Sequence, residues 1–324
     1  MLTKSKGPAG KTLYTSRPLL ISPKDAYLRP KAEGADWFQT TTTVWRVDEL
    51  IRRRVRDWRR LLGETGHSGE RNEVMRKDHD SVYTGSHSVF PAPLVEWILL
   101  RYGGPAGGRV LDAFAGGAVR GMVSSVMGYS YTGVEVRLNQ IHENLQVLEA
   151  LNLTGAEYVH DTGTLMSKVE GPFDCALTCP PYYDLEVYSD LPEDISTLST
   201  YEAFNSAMLD CAVAHKELMK PNSFVCIVVG PFRNKKTGEL IDFPAHTVNN
   251  FKAAGFVYWQ QIMLAKNFAS AAKRSTNAWK GQKLVPCHEV LQVFRTPGEV
   301  KHERPSKKSK ALAGSSRGSS STGE

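Results

Sequence analysis

From about residue 86 the chain alternates short apolar runs with longer stretches in which apolar residues recur at helical spacing. The runs predict strands near 109–114, 130–135, 156–160, 173–178, 223–230, 256–265 and 286–295. Helices are expected near 118–128, 137–152, 201–219 and 244–254, and Pro91 and Pro93 open another that runs through Leu100. Strands alternating with helices specify a mostly parallel sheet covered on both faces, because each parallel connection must cross back over the sheet. No helical signal separates the last two strands. They are expected to pair as an antiparallel hairpin closed by the loop 266–285.

The flanks follow other patterns. Residues 1–36 are polar and without period, which predicts a loosely attached arm. Over 44–62, Val47, Ile51, Val55, Trp58 and Leu62 share one helical face, and Arg52, Arg53, Arg56, Arg59 and Arg60 take much of the remainder. That spacing predicts an amphipathic, basic helix, whose charges suit a solvated face as well as a phosphate backbone. From Pro297 to Glu324 the chain is Lys, Ser, Gly and Thr with almost no apolar residue, the composition of a disordered tail. The expected organisation is a basic extension (1–85), one α/β domain (86–296) and a tail (297–324).

Composition narrows the class. A chain of 324 residues with 41% hydrophobic content can bury one large core plus additions. No apolar run is long enough to cross a bilayer, and the basic N-terminus lacks the apolar core of a signal peptide, so a cytoplasmic protein is expected. The formal charge of +6 suits an anionic partner. The five cysteines include no C-x-x-C pair and have no accompanying His cluster, so neither a disulfide framework nor a metal site is expected. Cys175, Cys211 and Cys226 fall in apolar segments and read as small core residues.

Chemistry concentrates at strand ends. In VLDAFAGGAVRG (110–121) a strand ends in Asp112, and Gly116-Gly117 turn the chain into a helix. Glycine suits a turn where backbone approaches a ligand, and open α/β sheets bind ligands beyond the carboxyl ends of their strands. Glu135 ends the next strand, 23 residues after Asp112, where an acid can accept both hydroxyls of a ribose. Asp161 ends the third, where a carboxylate can accept a hydrogen bond from an adenine amino group; a helix N-cap would use the same residue type.

These residues resemble motif I of DNA amino-methyltransferases, an apolar run, Asp, a variable residue, Phe and a glycine turn, matched by Asp112, Phe114, Gly116 and Gly117. HSVFPAPLVEWILLRY (87–102) is similar to the family's motif X helix, with Phe90 and Pro91 at the position that packs on the methionine end of the cofactor. The resemblance covers roughly residues 86–296. It implies a class I methyltransferase (Rossmann-like) fold, a seven-stranded mostly parallel sheet with a C-terminal antiparallel hairpin. It also implies S-adenosylmethionine as cofactor, held by Phe90, Asp112, Phe114, Gly116, Gly117, Glu135 and Asp161.

The catalytic half is FDCALTCPPYYD (173–184). An exocyclic amino nitrogen is a poor nucleophile because its lone pair is delocalised into the base. A site helps by accepting the amino hydrogens and holding the nitrogen in line with the methyl carbon. A proline offers a carbonyl on a rigid backbone, and a neighbouring aromatic can stack on a flipped base. Cys179, Pro180, Pro181 and Tyr182 match the family's Pro-Pro-Tyr pattern except at the first position, where Cys179 replaces an Asp, Asn or Ser. Cysteine is nearest in shape to serine, the form associated with cytosine-N4 enzymes, which tilts the expectation from adenine-N6 toward cytosine-N4. Tyr183 is a candidate to widen the stacking platform. Two other readings stay open: a pyrimidine-C5 methyltransferase with Cys179 as nucleophile, and amino methylation of RNA or protein. A non-catalytic DNA-binding relic of the fold is a third.

Double-stranded DNA is the expected partner. The hairpin loop 265–286 carries Lys266, Lys273, Arg274, Lys280 and Lys283 with no acid, and adds Phe268 and Trp279. The last strand holds His288 and Glu289, expected to serve strand and loop structure rather than chemistry.

Overall fold

A computed structural model describes residues 3–6, 12–15, 44–46, 58, 90–265, 278–279 and 281–298. Strands β1 (Thr3–Lys6) and β2 (Thr12–Thr15) form a separate antiparallel pair. The main sheet is built from β3 (Val44–Arg46), β4 (Arg109–Asp112), β5 (Ser130–Glu135), β6 (Ala156–His160), β7 (Phe173–Thr178) and β8 (Met219–Val229). A small hairpin of β9 (Phe232–Arg233) and β10 (Leu240–Ile241) follows β8, and β11 (Val257–Ala265) and β12 (His288–Arg295) return to the main sheet. Its order is β3-β11-β12-β8-β7-β4-β5-β6. The five helices of the described domain are α1 (Ala92–Tyr102), α2 (Val119–Val126), α3 (Leu138–Ala150), α4 (Tyr201–Leu218) and α5 (Phe243–Ala253).

The seven expected strands are all present, and β11 and β12 pair antiparallel. An eighth, β3, lies parallel beside β11, with Val44 opposite Met263. This corrects the helix predicted over 44–62 at its start. Without β3, β11 would be the edge strand, with one row of backbone groups unpaired. Pairing that row outweighs the local helical pattern. Trp58 is helical, and the rest of the predicted helix lies outside the described residues.

Side chains alternate across the sheet, as the pleat requires. Val110, Cys175, Leu177, Cys226 and Val228 face one core with α1 and α2. Leu111, Ala176, Val225, Ile227 and Val229 face the other with Phe204 of α4 and Phe251 of α5. Cys175, Cys211 and Cys226 are buried as expected. From β4 the chain steps outward through β5 and β6, then returns to add β7 and β8 on the other side of β4. The strand order therefore reverses between β4 and β7, the point beyond whose carboxyl ends open α/β sheets place their ligands.

The extension is anchored in this core. Trp58 is 4% exposed in the α1–α2 layer, and its indole N–H donates to Glu96 Oε2 at 2.5 Å, an acid fully buried on α1. Trp58→Ala is expected to cost about 3–5 kcal/mol, and Trp58→Phe, which keeps a ring but loses the donor, about 1–3 kcal/mol. Denaturant unfolding of the two variants checks the order.

His215, fully buried on α4, bonds through Nδ1 to the Cys211 carbonyl at 2.8 Å and has its ring beside Phe251. Burial lowers its pKa from 6.5 to about 4, against the opposing pull of the Cys211 carbonyl and Asp112. The unfolded chain therefore binds the extra proton first as pH falls. The contribution of neutral His215 is complete above about pH 6.5 and is lost progressively down to about pH 4. His215→Leu should remove on the order of 3 kcal/mol of that pH dependence. Urea midpoints at pH 7.5 and 4.5, compared with wild type, measure it.

Candidate active site

Asp112 sits at the carboxyl end of β4, fully buried, and four donors converge on it. Arg120 Nε reaches Oδ2 at 2.5 Å and Tyr131 Oη reaches it at 2.7 Å, while Thr178 Oγ1 and the Phe114 N–H reach Oδ1 at 2.8 and 3.2 Å. The Phe114 N–H is shared with Thr178 Oγ1 at 3.1 Å. Arg120 also donates to the carbonyls of Phe114 and Ala115 at 2.5 and 3.0 Å, and its guanidinium lies over the Phe90 ring at 4.9 Å. Burial opposes the charge on Arg120, but Asp112, Tyr131 and Cys179 outweigh it and the guanidinium stays protonated. One ion pair thus joins the entry to α1, the glycine turn, β5 and the end of β7.

The turn itself is held from both sides. Gly116 has a left-handed φ of +50°. Its N–H donates to Glu135 Oε2 at 3.0 Å, and its carbonyl accepts from Asn144 of α3 at 2.7 Å. Glu135 Oε1 accepts from both the backbone N–H and the Nε of Arg137 at 3.0 Å. Gly117 is exposed beside it. Asp161, one residue past β6, closes the 161–168 turn: its oxygens accept from the N–H groups of Thr162 and Lys168, each at 2.8 Å, and from Ser167 Oγ at 3.1 Å. No helix follows it, so an N-cap role is excluded.

The Pro-Pro-Tyr segment leaves β7 one strand away. Pro180 and Pro181 are buried, Cys179 and Tyr182 partly so. Tyr182 lies parallel to Phe232 at 6.2 Å between centroids, meets Phe243 edge-on, and donates through Oη to Glu289 Oε1 at 3.2 Å. Burial pushes the Cys179 thiol up to about 12; Arg120 pulls the other way, and Glu289, Glu186 and Asp112 add to the rise. Tyr183 does not widen a stacking platform. It is buried against Tyr201 and Phe204, donates to the Ser199 carbonyl at 3.1 Å, and carries a φ of +48°. A bulky residue in that region costs about 1–3 kcal/mol, which its packing offsets while the backbone turns sharply after Tyr182.

A cleft of about 340 Å³ opens on Tyr182, lined also by Leu185, Gly230, Phe232, Arg233, Lys283 and Glu289. Of the expected DNA-contacting residues, Lys283 lines this cleft, and Trp279 nearby is 81% exposed. Lys266, Phe268, Lys273, Arg274 and Lys280 lie outside the described residues.

Sequence reasoning did not single out Arg120 or Phe232, and it gave Glu289 a role in strand and loop structure. Arg120 carried a faint signal, a lone cation in the apolar opening of α2. Thr178 stands at the head of the Pro-Pro-Tyr segment, but its bond to Asp112 had no signal, since threonine is ordinary at a strand end. Phe232 and Glu289 come from elements far along the chain, and only the sheet order brings them to Tyr182.

Removing one partner of the buried pair leaves the other charge uncompensated, at a cost of about 3–5 kcal/mol. Asp112→Asn and Arg120→Met should each destabilise by that order. The double variant should lose less than the sum, and a double-mutant cycle of unfolding free energies reads the difference.

No family model and no curated protein sequence matches this chain. Solved structures do resemble it in architecture. TrmN from Thermus thermophilus aligns over 68% of this chain and 53% of its own, at 12% identity and a TM-score of 0.47. The [4+2]-cyclase SpnF aligns over 71% and 95%, at 13% identity and 0.49. A SAM-dependent methyltransferase from Methanosarcina mazei aligns over 66% and 100%, at 12% identity and 0.45. This chain therefore spans about half of TrmN and nearly all of the other two.

Proposed function

We propose that this protein transfers a methyl group from S-adenosylmethionine to the exocyclic amino group of a flipped base in duplex DNA, cytosine-N4 ahead of adenine-N6. The observation that carries the reading is the bond from Thr178 Oγ1 to Asp112 Oδ1, 2.8 Å, which ties the glycine turn after β4 to the Pro-Pro-Tyr segment after β7. A ligand seated on the turn and a base held by Tyr182 would then meet in one crevice, at the point where the strand order reverses.

The two acceptor carboxylates suit the nucleoside half of S-adenosylmethionine, which presents hydroxyl and amino hydrogens. A Cβ built on Gly116 meets no atom within 4 Å, so the left-handed turn faces open space. Glu135, already on the Gly116 N–H, would exchange local donors for ribose hydroxyls, and Asp161 would release one of its Thr162, Ser167 and Lys168 donors to accept the adenine amino group. Phe90 and Phe114 border the turn, and Asp112 with Arg120 sets its shape. Bound there, S-adenosylmethionine supplies an electrophilic methyl carbon. The protein's own part is to stack the base on Tyr182, accept amino hydrogens from the segment around Cys179 and Pro180, and hold the nitrogen in line. Lys283 and Arg233 at the cleft would reach phosphate oxygens, with Lys266, Lys273, Arg274 and Lys280 on the same loop as Lys283.

Cys179 argues against carbon methylation. That route needs a thiolate, and with a pKa pushed up to about 12 the thiol stays protonated at neutral pH.

The reading is tested with tritiated-methyl cofactor and unmethylated duplex DNA, digested to nucleosides. Label is expected in N4-methylcytosine or N6-methyladenine and should persist, at a lower rate, in Cys179→Ala. Label in 5-methylcytosine that vanishes in Cys179→Ala would establish the thiolate route instead. Label on RNA or protein but not DNA would move the substrate. A failure to bind cofactor by calorimetry would leave the inactive relic. Tyr182→Ala should lower transfer roughly ten- to hundredfold, from about 1–3 kcal/mol of lost base stacking.

A further inference from the structure

The antiparallel sense of β12 has a chemical consequence. A strand running against its parallel neighbours begins where they end, so the first residues of β12 stand at the carboxyl edge of β7 and β8. Val290 pairs with Val229, the last residue of β8, which sets Glu289 beside Gly230. A Cβ on Gly230 would lie 3.3 Å from Glu289 Cγ and 3.5 Å from Tyr182 Oη, so glycine there leaves room for these two side chains to meet. They do meet, with Tyr182 Oη donating to Glu289 Oε1 at 3.2 Å. Both line the cleft.

The same neighbourhood lacks an oxygen where the resemblance expects one. Position 179 carries sulfur, a weak acceptor, and as a protonated thiol it has no negative charge to offer an amino hydrogen. The charge of Glu289 is felt at Cys179 as well as at Tyr182. A carboxylate is a far stronger acceptor than sulfur and accepts from several donors at once, so a bond from Tyr182 is compatible with a second from a substrate.

Resting on the methyltransferase reading above, we infer that Glu289 accepts a hydrogen bond from the amino group of the target base and replaces the oxygen missing at position 179. It is then a substrate-contacting and specificity-determining residue. Carboxylates pair with the amino edge of cytosine. The keto group of thymine or uracil presents lone pairs at that place and is repelled. A site built to bond an N–H rejects an analogue without it far more strongly than a shape-fitting pocket does.

The test compares wild type with Glu289→Gln, and with Glu289→Asp, which keeps the charge but draws it back by one methylene. Readouts are methyl transfer to duplex DNA, cofactor affinity by calorimetry and melting temperature. Both variants are expected to fold and to bind cofactor as wild type does, while kcat falls by about 10²-fold, the usual effect of removing one preorganised polar contact at a reacting centre. Cys179→Asn, which restores an oxygen acceptor, should recover at least part of the Glu289→Gln loss. A purely structural role would not respond to that rescue.

Tyr182→Phe separates direct contact from support of the tyrosine. The Glu289→Gln loss should persist in the Tyr182→Phe background. If it disappears there, Glu289 acts only by holding Tyr182, and the inference falls. It falls equally if Glu289→Gln keeps full kcat. A wild-type digest without an amino-methylated base overturns the functional reading itself, and that failure is visible before any variant is made.

Discussion

The buried ion pair between Asp112 and Arg120 is the constraint on which the rest of the site depends. A carboxylate fully out of water is tolerable only when its lone pairs are met, and here a guanidinium, a phenol, a threonine hydroxyl and a backbone N–H meet them. Each donor belongs to a different part of the fold, so the pair acts as a tie among elements that the chain order keeps apart. Arg120 in turn satisfies the carbonyls that open the glycine turn, and its guanidinium lies over the Phe90 ring. The turn is therefore shaped by the protein's own bonds.

Around that tie the site divides by charge and polarity. On the β5–β6 side stand Glu135 and Asp161, acids whose oxygens are met by the turns beside them. On the β7–β8 side stands a cage of aromatics, Tyr182, Phe232 and Phe243, with Glu289 at its rim. The first half carries two carboxylates held by local donors, and the second a cluster of aromatic rings with one carboxylate beside it. The sheet reversal between β4 and β7 keeps the halves adjacent without mixing their chemistry.

Some features were legible because they are local. The Asp-x-Phe-x-Gly-Gly turn, the Pro-Pro-Tyr segment and the strand ends at Glu135 and Asp161 are each written within a few consecutive residues. The period of the apolar positions is likewise a property of neighbours in the chain, and all seven predicted strands and the closing hairpin are present. The start of the segment 44–62 departs from this: its residues follow a helical period, yet Val44–Arg46 are extended because β11 presents an open edge. Tyr183 departs too, since nothing in its own neighbourhood shows that Ser199, Tyr201 and Phe204 will draw it away from the cleft.

The sequence by itself determined the fold class, where the strands end and the residue types that stand there, because hydrophobic period and turn chemistry act over short stretches of chain. Tertiary structure alone decided that Arg120 would neutralise Asp112, that Thr178 would bridge the two motifs, that Trp58 would be buried on α1, and that Glu289 would reach Tyr182 across 107 residues. Those pairings depend on strand order and direction, which follow from how layers pack, and no local pattern encodes them.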